Sequence, residues 1–243
     1  MDKSLSDIWV YLATSPLLWL TATLLAYLGA LQIFRLCRQH PLANPVMLAV
    51  LMLAALLTTT GTSYQRYFEG AQFVHFLLGP ATVALAIPLY AQIRKVRAVA
   101  LPLLVALLVG SLTAILSAMA IAYWLGASPA TIMSLAPKSV TTPIAMGIAE
   151  RAGGLPSLTA TFVVLTGILG AVVAPPLFRR LRYDDHAAQG LAMGLAAHGL
   201  GTARAFQISE QAGAFSALAM GLNGLLTALL IPLLLPLLRQ FFS

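Results

Sequence analysis

Charge is what this sequence has least of. Only 9% of its 243 residues are Asp, Glu, Lys or Arg, against about 25% in a soluble domain of ordinary composition. With 60% apolar residues and a mean hydropathy of +0.90, too few polar side chains remain to cover a water-facing surface. A soluble fold is excluded. Cysteine is nearly absent: Cys37 is the only one, so no internal disulfide can form. It lies between Arg35 and Arg38 at the end of an apolar run and reads as an inert interfacial thiol. There is no Walker-type loop, metal cluster or nucleophile elbow, so neither an enzyme nor a cofactor or metal is expected. Nor is a cleavable signal peptide expected, because the first apolar run, Ile8–Phe34, is too long for one and lacks a small-residue cleavage site.

The net charge of +7 raises nucleic-acid binding only to exclude it. No basic face interleaved with aromatics occurs. Nine of the fourteen basic residues cluster in short patches between apolar runs: Arg35 and Arg38; Arg94, Lys95 and Arg97; Arg179, Arg180 and Arg182; and Arg239. Lys and Arg in short loops mark the cytoplasmic face of a membrane protein. A helix needs about 20 apolar residues to cross the hydrocarbon core. Ile8–Phe34, Leu42–Gln65, Gly70–Ile93, a stretch over 98–123, Leu155–Phe178, Ala187–Ala205 and Ala212–Leu238 each meet that requirement. The fold class expected is therefore all-α integral membrane, one polytopic domain over 1–243 with possible halves near 1–126 and 127–243. A full crossing by 129–149 would put the Arg179–Arg182 patch outside. The positive-inside bias therefore favours seven full spans and one re-entrant segment, with the N-terminus out and the C-terminus in; eight full spans is the alternative.

Three apolar stretches carry helix breakers at membrane depth. The first contains Gly79 and Pro80, the second Pro137 and Pro143, and the third Gly199 and Gly201. The first two share residue types at an offset of 57 positions, Pro80 with Pro137 among them, which hints at an internal repeat. Paired interrupted helices point to a transporter binding site. Ionisable residues within the membrane are costly and are functional candidates by default. Lys138 is the sharpest, directly after Pro137 and followed by Ser139, Thr141, Thr142 and Pro143. A half-helix beginning there would aim free N–H groups at an anion; the competing reading is a lysine snorkelling to the interface. His198 belongs to His198-Gly-Leu-Gly-Thr202, extends the four-residue series Gly190, Gly194, and is suited to carry a proton or to bond a neighbouring helix. Arg204 is expected to pair with the substrate, Glu150 or Glu210. A lone His75 reads as structural.

Leu78–Tyr90, Ala136–Ala145 and His198–Ala203 together resemble the LrgB/CidB family, which includes YohK-type proteins of Gram-negative bacteria. The resemblance covers about Asn44 to Leu238, with three motifs in order. It implies carrier-like architecture with Lys138, Ser139, Thr141, Thr142, His198 and Thr202 near a substrate path. Two functions follow from it. One is a carrier for small monocarboxylates of the glycolate, glycerate and pyruvate class, working by alternating access with proton or cation coupling. The other is a holin/antiholin-like protein that modulates murein hydrolases and lysis, with a small LrgA/CidA-type membrane partner. The broken helices, buried cation and hydroxyls favour the first. A multi-pass protein of the bacterial inner membrane, and a homo-oligomer, is expected.

Overall fold

The computed structural model describes residues 16–37, 43–77, 80 and 83–242. Most of those residues are helical, with no strand among them, as backbone surrounded by lipid requires. The chain is an all-α membrane protein. By contacts it separates into two compact units, residues 1–84 and 85–243; Gly126 lies inside the second.

The first unit contains α1 (Pro16–Leu36), α2 (Pro45–Thr60) and α3 (Tyr64–Phe76). Asn44 caps α2, its side chain accepting from the backbone N–H of Val46 and Met47 at 2.9 and 3.2 Å, and Gly61 ends it in the left-handed conformation. Trp19 on α1 meets Tyr67 on α3 edge to face, and Thr23 hydrogen-bonds the Tyr67 hydroxyl at 3.1 Å. A Cβ on Gly70 would strike the carbonyl of Pro16, so α3 and α1 touch backbone to backbone.

The second unit contains α4 (Ala86–Ala91), α5 (Ile93–Ala98), α6 (Ala100–Trp124), α7 (Pro129–Leu135), α8 (Thr142–Ala152), α9 (Pro156–Arg180), α10 (His186–Ile208) and α11 (Glu210–Phe242). With α1, three of these are long and apolar enough to cross a membrane: α6, α9 and, over 210–237, α11. The expected span over Gly70–Ile93 is not one helix. It is divided among α3, α4 and neighbouring residues, several of them outside the described part.

Between the rods α6, α9 and α11 lie two helical hairpins. The first is α7 and α8. The backbone N–H of Leu155 donates to Ser134 Oγ at 2.7 Å, and Thr159 Oγ1 donates to the Ser134 carbonyl at 3.0 Å. After the 11 residues of α8, about 16 Å of helix, the chain is back beside the end of α7. It has therefore reversed, as the charge bias anticipated for this segment. The second hairpin is α10, which has non-helical backbone at Ala197 and His198. Met193 and Ala205 share one buried cluster, and a Cβ on Gly201 would strike the Met193 carbonyl. In a straight helix residues 193 and 205 stand about 18 Å apart. The segment 186–196 thus runs inward and 199–208 returns, so the single crossing expected over Ala187–Ala205 is replaced by a reversal.

Helix α9 shows how the hairpins are arranged. Its N-terminal end meets the open end of the first through Leu155 and Thr159. Its C-terminal end, at Ala174 and Phe178, packs on Met193 and Ala205 of the second. Both tips reach its middle. Val140 and Ala145 pack on Val163, and His198 bonds the Val163 carbonyl. The hairpins enter from opposite ends and meet at the centre. Spacing matches this inverted arrangement: α6 and α9 are 25 residues each and start 56 positions apart, while α7 and α10 start 57 apart.

Candidate functional site

The first tip is a run of six residues between two helices. Pro137 is fully buried; its ring removes a donor and fixes φ, which stops α7 from continuing. Thr141 takes extended backbone (φ −66°, ψ 148°) as the N-cap of α8, with Pro143 in the first turn. Pro143 is exposed, while Ser139 and Val140 are buried and Lys138, Thr141 and Thr142 are half-buried. Lys138 Nζ donates to Ser139 Oγ at 3.1 Å. Among the described residues no carboxylate pairs with it, and the hydroxyls of Thr141 and Thr142 make no hydrogen bond. This tip holds a cation and two unengaged hydroxyls beside the amino end of a helix, all suited to an anion.

The second tip is built on His198, at φ 42° and ψ −130°. That region favours glycine. Gly199 and Gly201, which the sequence offered as the break, do not have positive φ. Gly201 is needed for space, since any side chain would strike the Met193 carbonyl and Ala197. The imidazole Nε2–H donates to the Val163 carbonyl at 2.9 Å, leaving Nδ1 as the nitrogen able to accept. A Cβ on Gly167 would lie 2.7 Å from the His198 ring, so α9 makes room for it. The series Gly190, Gly194 faces α11 instead: Cβ atoms there would strike the carbonyls of Ala212 and Ser216. His198 is therefore not an extension of that face. Thr202 is structural in its contacts. Its Oγ1 donates to the His198 carbonyl at 2.9 Å and meets Ser216 Oγ at 3.0 Å, so it satisfies backbone at the reversal.

Lys138 and His198 lie within electrostatic reach of one another. Arg204 stands apart. It is on the returning arm, about 9 Å of helix beyond His198, within electrostatic reach of Arg179 and bonded through Nη1 to Gln207. Its Nε is buried without a partner. It belongs with the basic end of the unit rather than the tips. Gly79 lies outside the described residues, as does the side chain of His75; Pro80 is exposed. A cavity of about 370 Å³ runs between α8 and α11 from Pro143 to Leu235. It is lined by apolar residues apart from Arg151 and does not include Lys138.

Sequence reasoning missed Asn223. It is 1% exposed on α11 and touches both tips. Its Nδ2 donates to the carbonyls of Ser139 and Leu195 at 3.2 and 3.1 Å. A lone Asn in an apolar helix was the available signal.

Comparison with known proteins adds a family. The profile of the LrgB-like family matches residues 23–237. An uncharacterized protein of Bacillus subtilis, YwbG, is 40% identical over 214 residues, covering 88% of this chain and 94% of its own. Holin-like protein CidB of Staphylococcus epidermidis is 30% identical over 81% of this chain and 86% of its own. Antiholin-like protein LrgB of Bacillus cereus is 29% identical over 91% and 96%. No solved structure matches.

Proposed function

Because the chain belongs to the LrgB-like family and the tip of one of its two hairpins holds a half-buried cation, we propose that it is a membrane carrier for small monocarboxylates. One observation carries this reading. Lys138, half-buried and with no carboxylate partner among the described residues, sits at the tip of the first hairpin, within electrostatic reach of His198 at the tip of the second. A cation held in a protein interior without a counter-ion is costly unless an anion joins it. The hydroxyls of Thr141 and Thr142 supply donors for a second carboxylate oxygen or an α-hydroxyl, which fits the glycolate, glycerate and pyruvate class. Alternating access would follow from hairpins that open to opposite ends: parting one tip from the centre exposes the site to that side only. His198, close to Lys138, is the group suited to proton coupling.

The names of the relatives support a second reading more directly than the first. Holin-like and antiholin-like describe proteins of 81–91% overlap with this chain, and the corresponding role is non-enzymatic control of murein hydrolases and lysis at the bacterial inner membrane. The two readings separate in liposomes carrying the purified protein. The carrier takes up labelled glycolate, glycerate or pyruvate saturably, and a proton-coupled one responds to a pH gradient. Absence of uptake, together with release of an entrapped dye too large for such a site, would reject the carrier in favour of a holin-like pore.

A further inference from the structure

We propose that Asn223 is a positioning residue of this site, a side chain that holds the first hairpin tip and the arm leading to the second in register. The inference rests on the carrier reading for its functional consequence, though its structural part does not. Asn223 has two amide protons and an amide oxygen with two lone pairs, and protein atoms take up all four. The protons go to the carbonyls of Ser139 and Leu195. The oxygen accepts from Ser111 Oγ of α6 at 2.5 Å and from Thr227 Oγ1 at 3.5 Å. No valence is left for a ligand, so Asn223 acts through its neighbours.

Both carbonyls it holds belong to interrupted backbone. Ser139 lies between α7 and α8, where Pro137 and the extended Thr141 prevent a helical ladder. Leu195 would pair with the N–H of Gly199 in a straight helix, and Ala197 and His198 break the geometry between them. Buried carbonyls at such breaks need a donor, and one amide supplies it to both. Ser139 is also the residue whose hydroxyl receives Lys138 Nζ. The chain from Ser111 through Asn223 and Ser139 to Lys138 therefore fixes the cation relative to α6, while the same amide fixes the arm leading to His198.

Two measurements on the full-length protein test this. In a Cys37→Ser, Thr141→Cys background, the rate of modification by a charged thiol reagent reads how tightly the first tip is held. Asn223→Asp keeps the shape, removes both donors and sets a carboxylate against two carbonyls. It should raise that rate about tenfold, the scale of one buried hydrogen bond lost. Ser111→Ala, which only frees the amide to turn, should raise it less and serves if Asn223→Asp does not reach the membrane. An unchanged rate in the variant that does reach it overturns the proposal, whatever transport shows. The second measurement uses labelled pyruvate uptake with Thr141 and Cys37 restored. Asn223→Asp should raise KM about tenfold with Vmax nearly kept; lowered Vmax at unchanged KM is mere loss of folded protein and also overturns it. A wild-type protein that takes up no monocarboxylate removes the carrier reading alone, because the labelling result stands by itself.

Discussion

At Lys138 the cost of a charge in the membrane is set against the geometry of one turn. The ammonium reaches only the hydroxyl of the next residue, a neutral acceptor that leaves its charge uncompensated. A lysine placed for anchorage would extend to the interface, whereas this one sits at the tip of a hairpin that ends at mid-rod, beside Val163. Replacing it by methionine should therefore weaken binding of pyruvate to the purified protein by about 10- to 100-fold, the scale of a charge-assisted hydrogen bond. The melting temperature should stay level or rise, because an uncompensated charge has been removed. Lys138→Arg should recover part of the affinity, its planar fork being too broad to replace a compact ammonium. Wild-type affinity in Lys138→Met would assign the residue to anchorage. His198 shows a second cost at this scale. Its backbone conformation is strained by on the order of 1–3 kcal/mol, and the bond from its ring to Val163 is what a glycine at that position would lack.

Among the elements, α10 is decided by small residues. Gly190 and Gly194 let the inward arm lie against the backbone of α11, and Gly201 lets the returning arm lie against the inward one. Close backbone approach is how helices associate where no hydrophobic force drives them together. Gly201→Ala should destabilise the protein by about 1–3 kcal/mol, the usual range for overpacking, read as a fall in melting temperature in detergent. Gly199→Ala should be close to neutral by comparison, since its nearest neighbour outside the helix is the Met220 sulfur at 3.9 Å. Equal losses at the two positions would mean that conformational freedom, and not space, is what the glycines supply.

For the second unit as a whole, the reversal in α10 changes where the chain ends. The start of α11 packs beside the open end of the second hairpin, at Gly190, and its later turns reach the open end of the first, with Ile231 against Ile132 and Ile148. The C-terminal part of α11 therefore lies at the end opposite to Arg179–Arg182, and not beside them as the basic-patch count proposes. The patch at Arg94, Lys95 and Arg97 remains consistent with the one at Arg179–Arg182. Lys95 lies over the Phe215 ring near the start of α11, and Arg204 lies near Arg179, so these cations share one end. In a Cys37→Ser background, single cysteines at Asp184 and Gln240 should react with an impermeant thiol reagent from opposite sides of the membrane. Reaction from the same side would restore a full crossing by 187–205.

The membrane class, the approximate position of four of the seven expected spans and two of the three expected breaks follow from the sequence alone. Hydrophobic length, proline and an isolated charge act locally, and each leaves its mark at its own residue. Lys138 was visible for that reason, and so was the reversal of α7 and α8, because charge placement constrains which side a segment returns to. Only the tertiary structure decided that α10 also turns back. Two glycines near a histidine are compatible with a kink or a reversal, and contacts 12 residues apart, such as Met193 with Ala205, choose between them. The same holds for Asn223. Its role depends on carbonyls 84 and 28 positions away, freed by breaks in two other elements, and no local pattern encodes where those carbonyls will stand.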